Sequence, residues 1–371
     1  MRENMISIIN KPNKQEIEDI DYIELYVGNA KQSAYYYCRI LGLKIVAYSG
    51  LETGDRDRTS YVLKKGNTCI VVSSSHSNEH PISQFVNKRG DGIKDVAFRV
   101  NDVDEIYENA VANGAISIQP PYEESDKYGI VKKAIVGTLG DLTHTIVEKK
   151  DYRGVFFPGY KSINNGSFPE HNGITCIDHL AICVDNMPAW VSFYDNVFGF
   201  KLLKAFKKDE VSSSNSALMT KVMQNGTERV KLPIVEPAEG DKKSQIEEFL
   251  EYNKGPGIQH IALLTDDILE TVKTMNENGI DFLYTPETYY QMLPKRVGKI
   301  DESIEELQKH KILVDKDDEG YLLQIFAQPI QDRPTLFFEV IQRKGSRGFG
   351  NGNIKALFEA VEREQEKRGN L

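Results

Sequence analysis

The 371-residue chain has few cysteines, no basic excess and no long apolar run, and each absence excludes a class of protein. Its four cysteines, Cys38, Cys69, Cys176 and Cys183, form no CxxC motif and are too few for a disulfide scaffold, so we expect reduced thiols and a cytoplasmic location. The 46 basic and 55 acidic side chains leave a net charge of −9, whereas nucleic-acid binders normally present a basic face. No stretch approaches the roughly 18 apolar residues of a membrane span, and the first residues lack the apolar core of an export signal. We therefore expect no nucleic-acid partner and no membrane partner.

The composition does support folded cores. Hydrophobic residues make up 40% of the chain, which excludes global disorder. At roughly 100–200 residues per domain, the length indicates two or three domains.

Two pairs of segments repeat each other within the chain. Ile20–Val46 and Ile177–Leu203 align without a gap, and each passes from a strand-like alternation through an Asn-containing turn into an amphipathic helix that ends at a glycine. Gly90–Ile118 and Gly255–Leu283 align in the same way, with a short strand leading into a helix that ends at Asn-Gly. The pattern predicts a tandem duplication.

A third, weaker match relates Thr143–Glu148 to Thr335–Val340. We interpret these segments as the closing strands, the last strands of the two halves. We therefore predict a first domain over residues 1–155, a linker rich in Gly, Pro and Asn over 156–171, and a second domain over 172–371. Within each half the strand–helix–strand pattern occurs twice. The sequence thus predicts an α+β fold of four related modules, whose paired sheets curl around a cavity.

The duplication isolates two histidines and a glutamate in the second half, His179, His260 and Glu339. At the matching positions the first half has other residue types, namely Tyr22, Asp95 and Val147. Strand alternation places Glu339 on one face with Phe337 and Ile341. A carboxylate in such surroundings is costly to bury unless it is paired or bound to a cation.

Two histidines and one carboxylate on separate strands have the composition of the facial triad that holds Fe(II) and leaves about three coordination positions open. A zinc site of the His₂Glu type is the chemical alternative. A single strand histidine is more often a hydrogen-bonded core residue, but the equivalent repeat positions favour a shared metal site. A rival pair, His76 and His80, lies in a Ser-rich segment that ends in Pro, for which we favour a solvated loop.

Several strings of the second half resemble the 4-hydroxyphenylpyruvate dioxygenase family of the vicinal-oxygen-chelate fold: EYNKGPGIQHIAL, KILVDKDDEGYLLQIF, QDRPTLFFEVIQRKGSRGFG and GNIKALFEAVEREQ. The resemblance covers nearly the whole chain. It implies two open-barrel domains of paired βαβββ modules, with Fe(II) bound only in the C-terminal barrel by His179, His260 and Glu339. It also implies a non-heme, 2-oxo-acid-dependent dioxygenase that acts on 4-hydroxyphenylpyruvate and O₂, and we expect a homodimer.

The resemblance also implies roles for further residues of the pocket. Three glutamines match the polar, catalytic positions around the substrate, namely Gln245, Gln259 and Gln324. Three phenylalanines match its aromatic walls, namely Phe326, Phe337 and Phe349. Without the resemblance, core packing for the phenylalanines and surface exposure for the glutamines would be the simpler interpretation.

Three substrate-binding positions depart from the dioxygenase pattern. This chain has Thr220 where the pattern has Ser, Val235 where it has Asn, and Ile354 where it has Phe. The related 4-hydroxymandelate synthases are more similar at Val235 and Ile354. We therefore expect benzylic hydroxylation to 4-hydroxymandelate, with ring hydroxylation to homogentisate as the alternative. A metal-dependent isomerase or lyase, or a small-molecule-binding protein of the same fold, is a more distant alternative.

The C-terminal segment Asn353–Lys367 has apolar residues at helical spacing, which predicts an amphipathic helix with Asn353 as its N-cap. Because Asn353 and Ile354 match pocket positions at the start of this helix, we interpret the helix as a lid over the substrate. Packing on the barrel for stability alone is the simpler interpretation.

Overall fold

The structure is a computed structural model that describes residues 16–163, 173–206, 217–238, 240 and 242–369. The first half forms these strands and helices: β1 (Ile17–Tyr26), α1 (Ala30–Leu41), β2 (Lys44–Ser49), β3 (Arg58–Lys65), β4 (Thr68–Ser75), α2 (Pro81–Arg89), β5 (Gly92–Val100), α3 (Val103–Ala112), β6 (Ile116–Asp126), β7 (Gly129–Gly137), β8 (Thr143–Glu148) and β9 (Lys161–Ser162).

The second half follows the same order and adds helices: β10 (Ile174–Cys183), α4 (Met187–Phe198), β11 (Lys201–Phe206), β12 (Ala217–Gln224), β13 (Lys231–Ala238), α5 (Gln245–Asn253), β14 (Gly257–Thr265), α6 (Ile268–Glu277), α7 (Glu287–Val297), α8 (Ile304–Lys309), β15 (Leu313–Lys316), β16 (Tyr321–Phe326), β17 (Phe337–Lys344) and α9 (Asn351–Lys367). None of the helices described is both long and apolar enough to cross a membrane.

Each half contains two βαβββ modules that join into one mixed sheet. The first sheet has the order β6-β7-β8-β5-β1-β4-β3-β2-β9, and the second has β11-β12-β13-β10-β14-β17-β16-β15. In both, the first strands of the two modules pair antiparallel at the centre, and each pairs parallel with the last strand of its own module. The predicted α+β fold of tandem βαβββ modules is confirmed.

The repeated helices begin and end for the same local reasons in both halves. Asn29 and Asn186 accept hydrogen bonds from the backbone N–H groups of Gln32 and Ala189 and so cap α1 and α4. Each helix ends at a glycine in the left-handed region, with φ of 64° at position 42 and 69° at position 199. The Asn and Gly matches of the repeat are therefore helix boundaries.

Strand alternation divides each sheet into two faces. In β10, Leu180 and Ile182 enter a large core that is shared by both halves and includes their helices. His179 and Cys183 belong to the opposite face, where a smaller apolar cluster and polar groups line an inner cavity. The first sheet has its own inner cluster, which includes Tyr22 and Val147.

The closing-strand repeat is displaced by two residues. Tyr22 pairs with Ala97 and His179 pairs with Ala262, so the two alanines are equivalent. Ala262 pairs with Glu339 across β14 and β17, whereas the register of β5 and β8 places Thr145 opposite Ala97. The counterpart of Glu339 is therefore Thr145, and the prediction of Val147 is wrong. A two-residue shift keeps the same face, which is why the alternation did not reveal it.

The C-terminal helix begins two residues before the predicted start. α9 starts at Asn351 after Gly350, whose φ is 70°, and Asn353 lies within its first turn. The prediction that Asn353 is the N-cap is wrong, because its side chain is buried and bonds Gln324 rather than the helix backbone.

Parts of the predicted linker are also described. β9 pairs with β2 at the edge of the first sheet, and Phe156 and Phe157 are buried against its inner face. Residues 164–172 lie outside the described residues. The division into a metal-free first domain and a catalytic second domain stays a prediction.

A buried histidine joins the two halves. His144 in β8 is fully buried, lies 2.9 Å from the Val96 carbonyl oxygen and 3.0 Å from the Tyr194 hydroxyl of α4, and stacks on Phe98. Burial lowers the pKa of His144 to about 4, so the imidazole is neutral in the folded protein near pH 7.

This histidine should make the fold sensitive to acid. The unfolded chain takes up a proton on His144 near pH 6.5 and the folded chain only near pH 4, so the free energy of unfolding falls as the pH drops through this window. Between pH 7 and pH 5 the loss should be about 2 kcal/mol. Urea unfolding of the metal-free protein should show a smaller loss for His144→Gln, while His76→Gln, at an exposed histidine, should behave like wild type. Equal pH dependence in all three would contradict this account.

Candidate metal centre

His179, His260 and Glu339 lie on three neighbouring strands at the middle of the second sheet. β10, β14 and β17 are adjacent, and Ala262 pairs with His179 on one side and with Glu339 on the other. Because Ala262 has only a methyl side chain, it leaves space between the imidazole and the carboxylate. The register of three strands therefore brings the three side chains to one point on the inner face.

The three side chains are close enough to share one ion. Glu339 Oε2 lies 3.2 Å from His179 Nε2 and 3.6 Å from His260 Nε2, and the three ligand atoms all lie within 4.8 Å of one another. Ligands about 2.1 Å from a common ion lie about 3.0–3.4 Å apart at right or tetrahedral angles. Glu339 and His179 are only 2% and 3% exposed. Across the described ranges, this is the one cluster of three potential ligands.

A buried ion pair orients His179. Its Nδ1 donates to Asp178 Oδ2 at 2.8 Å, which leaves Nε2 directed at Glu339. Asp178 in turn accepts two hydrogen bonds of 2.8 Å from the Arg343 guanidinium. Burial opposes ionisation of Asp178, but the bonds from Arg343 and His179 outweigh it and hold its pKa well below the usual range. Such a carboxylate–histidine pair sets the tautomer and ring orientation of a metal ligand.

The two histidines differ in their readiness to hold a proton. Burial alone would lower the pKa of His179, but the facing carboxylates of Glu339 and Asp178 raise it. Burial, and then the charge of His179, lower the pKa of His260. The imidazole of His260 therefore holds a proton less readily than that of His179.

Amide side chains connect the C-terminal helix to Glu339. Gln324 Nε2 donates to Glu339 Oε1 at 3.2 Å, and Asn353 Nδ2 donates to Gln324 Oε1 at 3.1 Å. Asn353 Oδ1 lies 2.6 Å from the Tyr289 hydroxyl and accepts a bond of 3.3 Å from Arg296. This chain of bonds holds Glu339 Oε1, whereas Glu339 Oε2 faces the two histidines.

Most of the predicted pocket residues line one cavity beside the three ligands. The cavity contains these predicted residues: Thr220, Val235, Gln245, Gln259, Gln324, Phe326 and Phe349. Phe337 lies behind His260 and stacks on its imidazole at 5.0 Å, and Asn353 reaches the site only through Gln324. The side chain of Ile354 lies outside the described residues, although its backbone belongs to α9.

Sequence reasoning missed several residues of the site. Apolar wall residues complete the cavity, namely Phe206, Leu218, Val222, Pro233, Ile246 and Ile341. Leu218 and Val222 flank Thr220 at every second position of β12, so strand alternation around Thr220 could have identified them. Asp178 and Arg343 were missed because nothing local relates two residues so far apart in the chain.

Comparisons with known proteins agree with this architecture. Residues 19–132 and 176–325 match the family model described as the Glyoxalase/Bleomycin resistance protein/Dioxygenase superfamily. The 4-hydroxyphenylpyruvate dioxygenase of Yarrowia lipolytica is 41% identical over 95% of this chain and 93% of its own length. The enzyme of the same name from Danio rerio is 42% identical over 97% of this chain and 94% of its own length.

A solved structure is also similar. A triple mutant of 4-hydroxymandelate synthase from Streptomyces coelicolor superposes with a TM-score of 0.85 and 33% identity, over 94% of this chain and 99% of that chain. The chain belongs to the 4-hydroxyphenylpyruvate dioxygenase family within the Glyoxalase/Bleomycin resistance protein/Dioxygenase superfamily. This confirms the expected enzyme class, the non-heme 2-oxo-acid-dependent dioxygenases.

The expected product is corrected by these comparisons. The sequence interpretation favoured 4-hydroxymandelate, but relatives that are 40–42% identical over nearly the whole chain are 4-hydroxyphenylpyruvate dioxygenases, against 33% for the mandelate synthase. The earlier preference depended on Val235 and Ile354. Two differing positions do not define where a substrate ring lies, so they were too little to decide the product.

Removing the orienting carboxylate should weaken metal binding. In Asp178→Asn the amide no longer holds His179 and Arg343 by charge-assisted bonds, so we expect about 10–100-fold lower metal affinity. Anaerobic titration with Co(II) against a competing chelator measures this affinity. Asp195→Asn, at an exposed carboxylate paired with Lys201, is the matched control and should bind like wild type. If folded Asp178→Asn binds Co(II) as tightly as the control, Asp178 does not position the ligand.

Proposed function

We propose that the chain is a 4-hydroxyphenylpyruvate dioxygenase, which converts 4-hydroxyphenylpyruvate and O₂ into homogentisate and CO₂. The observation that supports it most is the convergence of two imidazoles and a carboxylate in a largely apolar cavity, in a chain related to dioxygenases of this name over nearly its full length.

The proposed metal is Fe(II), held by His179, His260 and Glu339. The fit rests on the donor set, since two histidines and one carboxylate are the protein ligands of non-heme Fe(II) oxygenases and leave positions open for substrate and O₂. Bound there, Fe(II) would supply the redox chemistry that couples loss of CO₂ to hydroxylation of the aromatic ring.

The cavity walls can orient the substrate ring and exclude water. Phe349 lies with its ring centroid 5.2 Å from that of His179, and Phe326 lies 6.4 Å from His260. Aromatic rings at these positions favour edge or offset contact with a bound ring. Apolar residues on β12 and β13 complete a wall that keeps water from the reacting atoms.

The three glutamines divide into two roles. Gln324 is occupied on both sides by Glu339 and Asn353, so it is proposed as a positioning residue. Gln245 and Gln259 line the cavity and are proposed to bond the polar groups of the substrate. Gln259 Oε1 also lies 3.4 Å from His260 Nδ1, so Gln259 can hold the imidazole of His260 while it faces the bound substrate.

Helix α9 is proposed as the lid. It begins two residues after Phe349, and its first turn reaches Gln324 through Asn353. A Cβ at position 350 would lie only 2.0 Å from Gln324 Oε1, so Gly350 permits this close approach as well as its positive φ. The open volume at the metal centre is about 80 Å³, and α9 is proposed to move when an aromatic substrate enters.

The cellular setting is proposed as a cytoplasmic homodimer. All four cysteines are free thiols, which suits a reducing compartment. The edge strand β6 exposes Ile116 and Ile118, at 61% and 50%, and such an edge can pair with a second copy.

Product analysis tests the proposed reaction. Wild-type enzyme loaded with Fe(II) and incubated aerobically with 4-hydroxyphenylpyruvate should give mainly homogentisate, identified by chromatography against standards. Val235→Asn, which places an amide in the cavity wall, should leave homogentisate as the main product.

Two histidine variants test whether turnover depends on the proposed metal ligands. His260→Ala should lose metal and turnover, whereas His76→Ala, at an exposed histidine of the first half, should retain both. Mainly 4-hydroxymandelate from the wild type, or turnover by His260→Ala close to that of His76→Ala, would contradict the proposal.

A further inference from the structure

The first half contains a cavity at the place that corresponds to the metal centre. Tyr22, Asp95 and Thr145 line it at the positions equivalent to His179, His260 and Glu339. Its volume is about 470 Å³, against about 80 Å³ at the metal centre. The first half therefore has a larger cavity, with other groups at the positions of the metal ligands.

Asp95 carries an unsatisfied oxygen in this cavity. Its Oδ1 accepts a 2.7 Å hydrogen bond from the Thr143 hydroxyl, whereas its Oδ2 has no hydrogen-bond partner. The residue is only 4% exposed. A buried acceptor without a partner costs about 1–3 kcal/mol, and more when charged, so a donor at this point would stabilise the protein.

The charged groups of the cavity leave an excess of negative charge. Arg58 pairs with Glu24 at 3.1 Å, and Lys133 pairs with Glu124 at 2.8 Å. These are the basic residues of the lining, so both of its cations are already neutralised. Asp95 and the partly exposed Asp55 remain without a cationic partner among the described lining residues. The cavity consequently favours a cation over an anion.

Burial and the neighbouring Glu24 carboxylate raise the pKa of Asp95 to about 7, although the Thr143 and Thr145 hydroxyl groups and the Lys94 ammonium favour its ionised form. A cation beside this carboxyl group would favour its ionised form. Among the described residues of this cavity, no three His, Cys, Asp or Glu side chains lie close enough together to share a metal ion.

Aromatic rings form much of the remaining wall. Tyr22 meets Phe156 and Phe157 edge to face, with centroids 5.3 and 5.7 Å apart. Lys133 Nζ already lies 4.4 Å from the centre of the Phe157 ring and 5.3 Å from that of Tyr122. Lys149 Nζ lies 4.3 Å from the centre of the same Phe157 ring, so the protein's own ammonium groups already cover its faces. The aromatic wall can therefore pack against the apolar body of a ligand, while the ligand's ammonium group needs the Asp95 carboxylate.

We propose that this cavity binds a small organic ammonium ion with an aromatic or other apolar body, whose ammonium group donates to Asp95 Oδ2. The aromatic wall accommodates the body, and the Arg58–Glu24 and Lys133–Glu124 pairs remain in place. The site is separate from the metal centre and does not depend on the proposed reaction.

Calorimetric titration with 2-phenylethylammonium tests the proposal on the full chain. Wild type should bind one equivalent, and 3-phenylpropionate, of similar shape and opposite charge, should bind at least 10-fold more weakly. Asp95→Asn keeps the side-chain volume and should weaken binding of the ammonium probe at least 10-fold. Glu123→Gln, at an exposed carboxylate on β6 outside the cavity, is the matched control and should bind like wild type.

Competition separates the two cavities. Saturating 4-hydroxyphenylpyruvate, added without O₂, should leave binding of 2-phenylethylammonium unchanged. No binding by wild type at millimolar probe, equal or tighter binding of 3-phenylpropionate, equal binding by folded Asp95→Asn, or displacement by 4-hydroxyphenylpyruvate would each overturn the proposal. If Asp95→Asn does not fold, the relative affinity of wild type for 2-phenylethylammonium and 3-phenylpropionate still tests whether the cavity prefers a cation.

Discussion

The arrangement of the second half depends on one buried carboxylate. Glu339 is 2% exposed and lies among apolar neighbours, where an uncompensated charge would cost several kcal/mol. Two imidazoles and the amide of Gln324 face it. A divalent cation held between Glu339 and the histidines would offset the cost of burying the charge, and the Asp178–Arg343 pair and the Gln324–Asn353 bonds then serve to hold the ligands in place.

The duplicated fold shows how one architecture serves two different interiors. The central strands of both sheets pair in the same way, and their outward faces join one shared core. The inward faces carry different side chains. Where the second half has two imidazoles and a carboxylate, the first has Tyr22, Asp95 and Thr145, which cannot provide the same donor set but surround a larger, acidic and aromatic space.

The histidines could be predicted from sequence because they lie on the strands that begin the repeated modules. The helices that follow these strands begin and end at recognisable residues, such as Asn at the N-cap and Gly at the end, and these residues fix the alignment of the two halves. Glu339 was found by its apolar neighbours, but its counterpart was misplaced, because the closing strands are short and their register is set by pairing with β5 and β14. The role of Asn353 was also mistaken, since a side-chain bond to Gln324 depends on how α9 packs. The Arg343–Asp178 pair joins residues 165 positions apart and follows only from the folded sheet.

Metal stoichiometry tests the central claim most directly. Anaerobic titration of the metal-free full chain with Fe(II), followed by removal of loosely bound metal and analysis of the retained iron, should give one equivalent per chain. Glu339→Gln keeps the side-chain volume but removes the charge, and it should retain little or no iron while remaining folded. Two equivalents in wild type, or one equivalent retained by Glu339→Gln, would contradict the account.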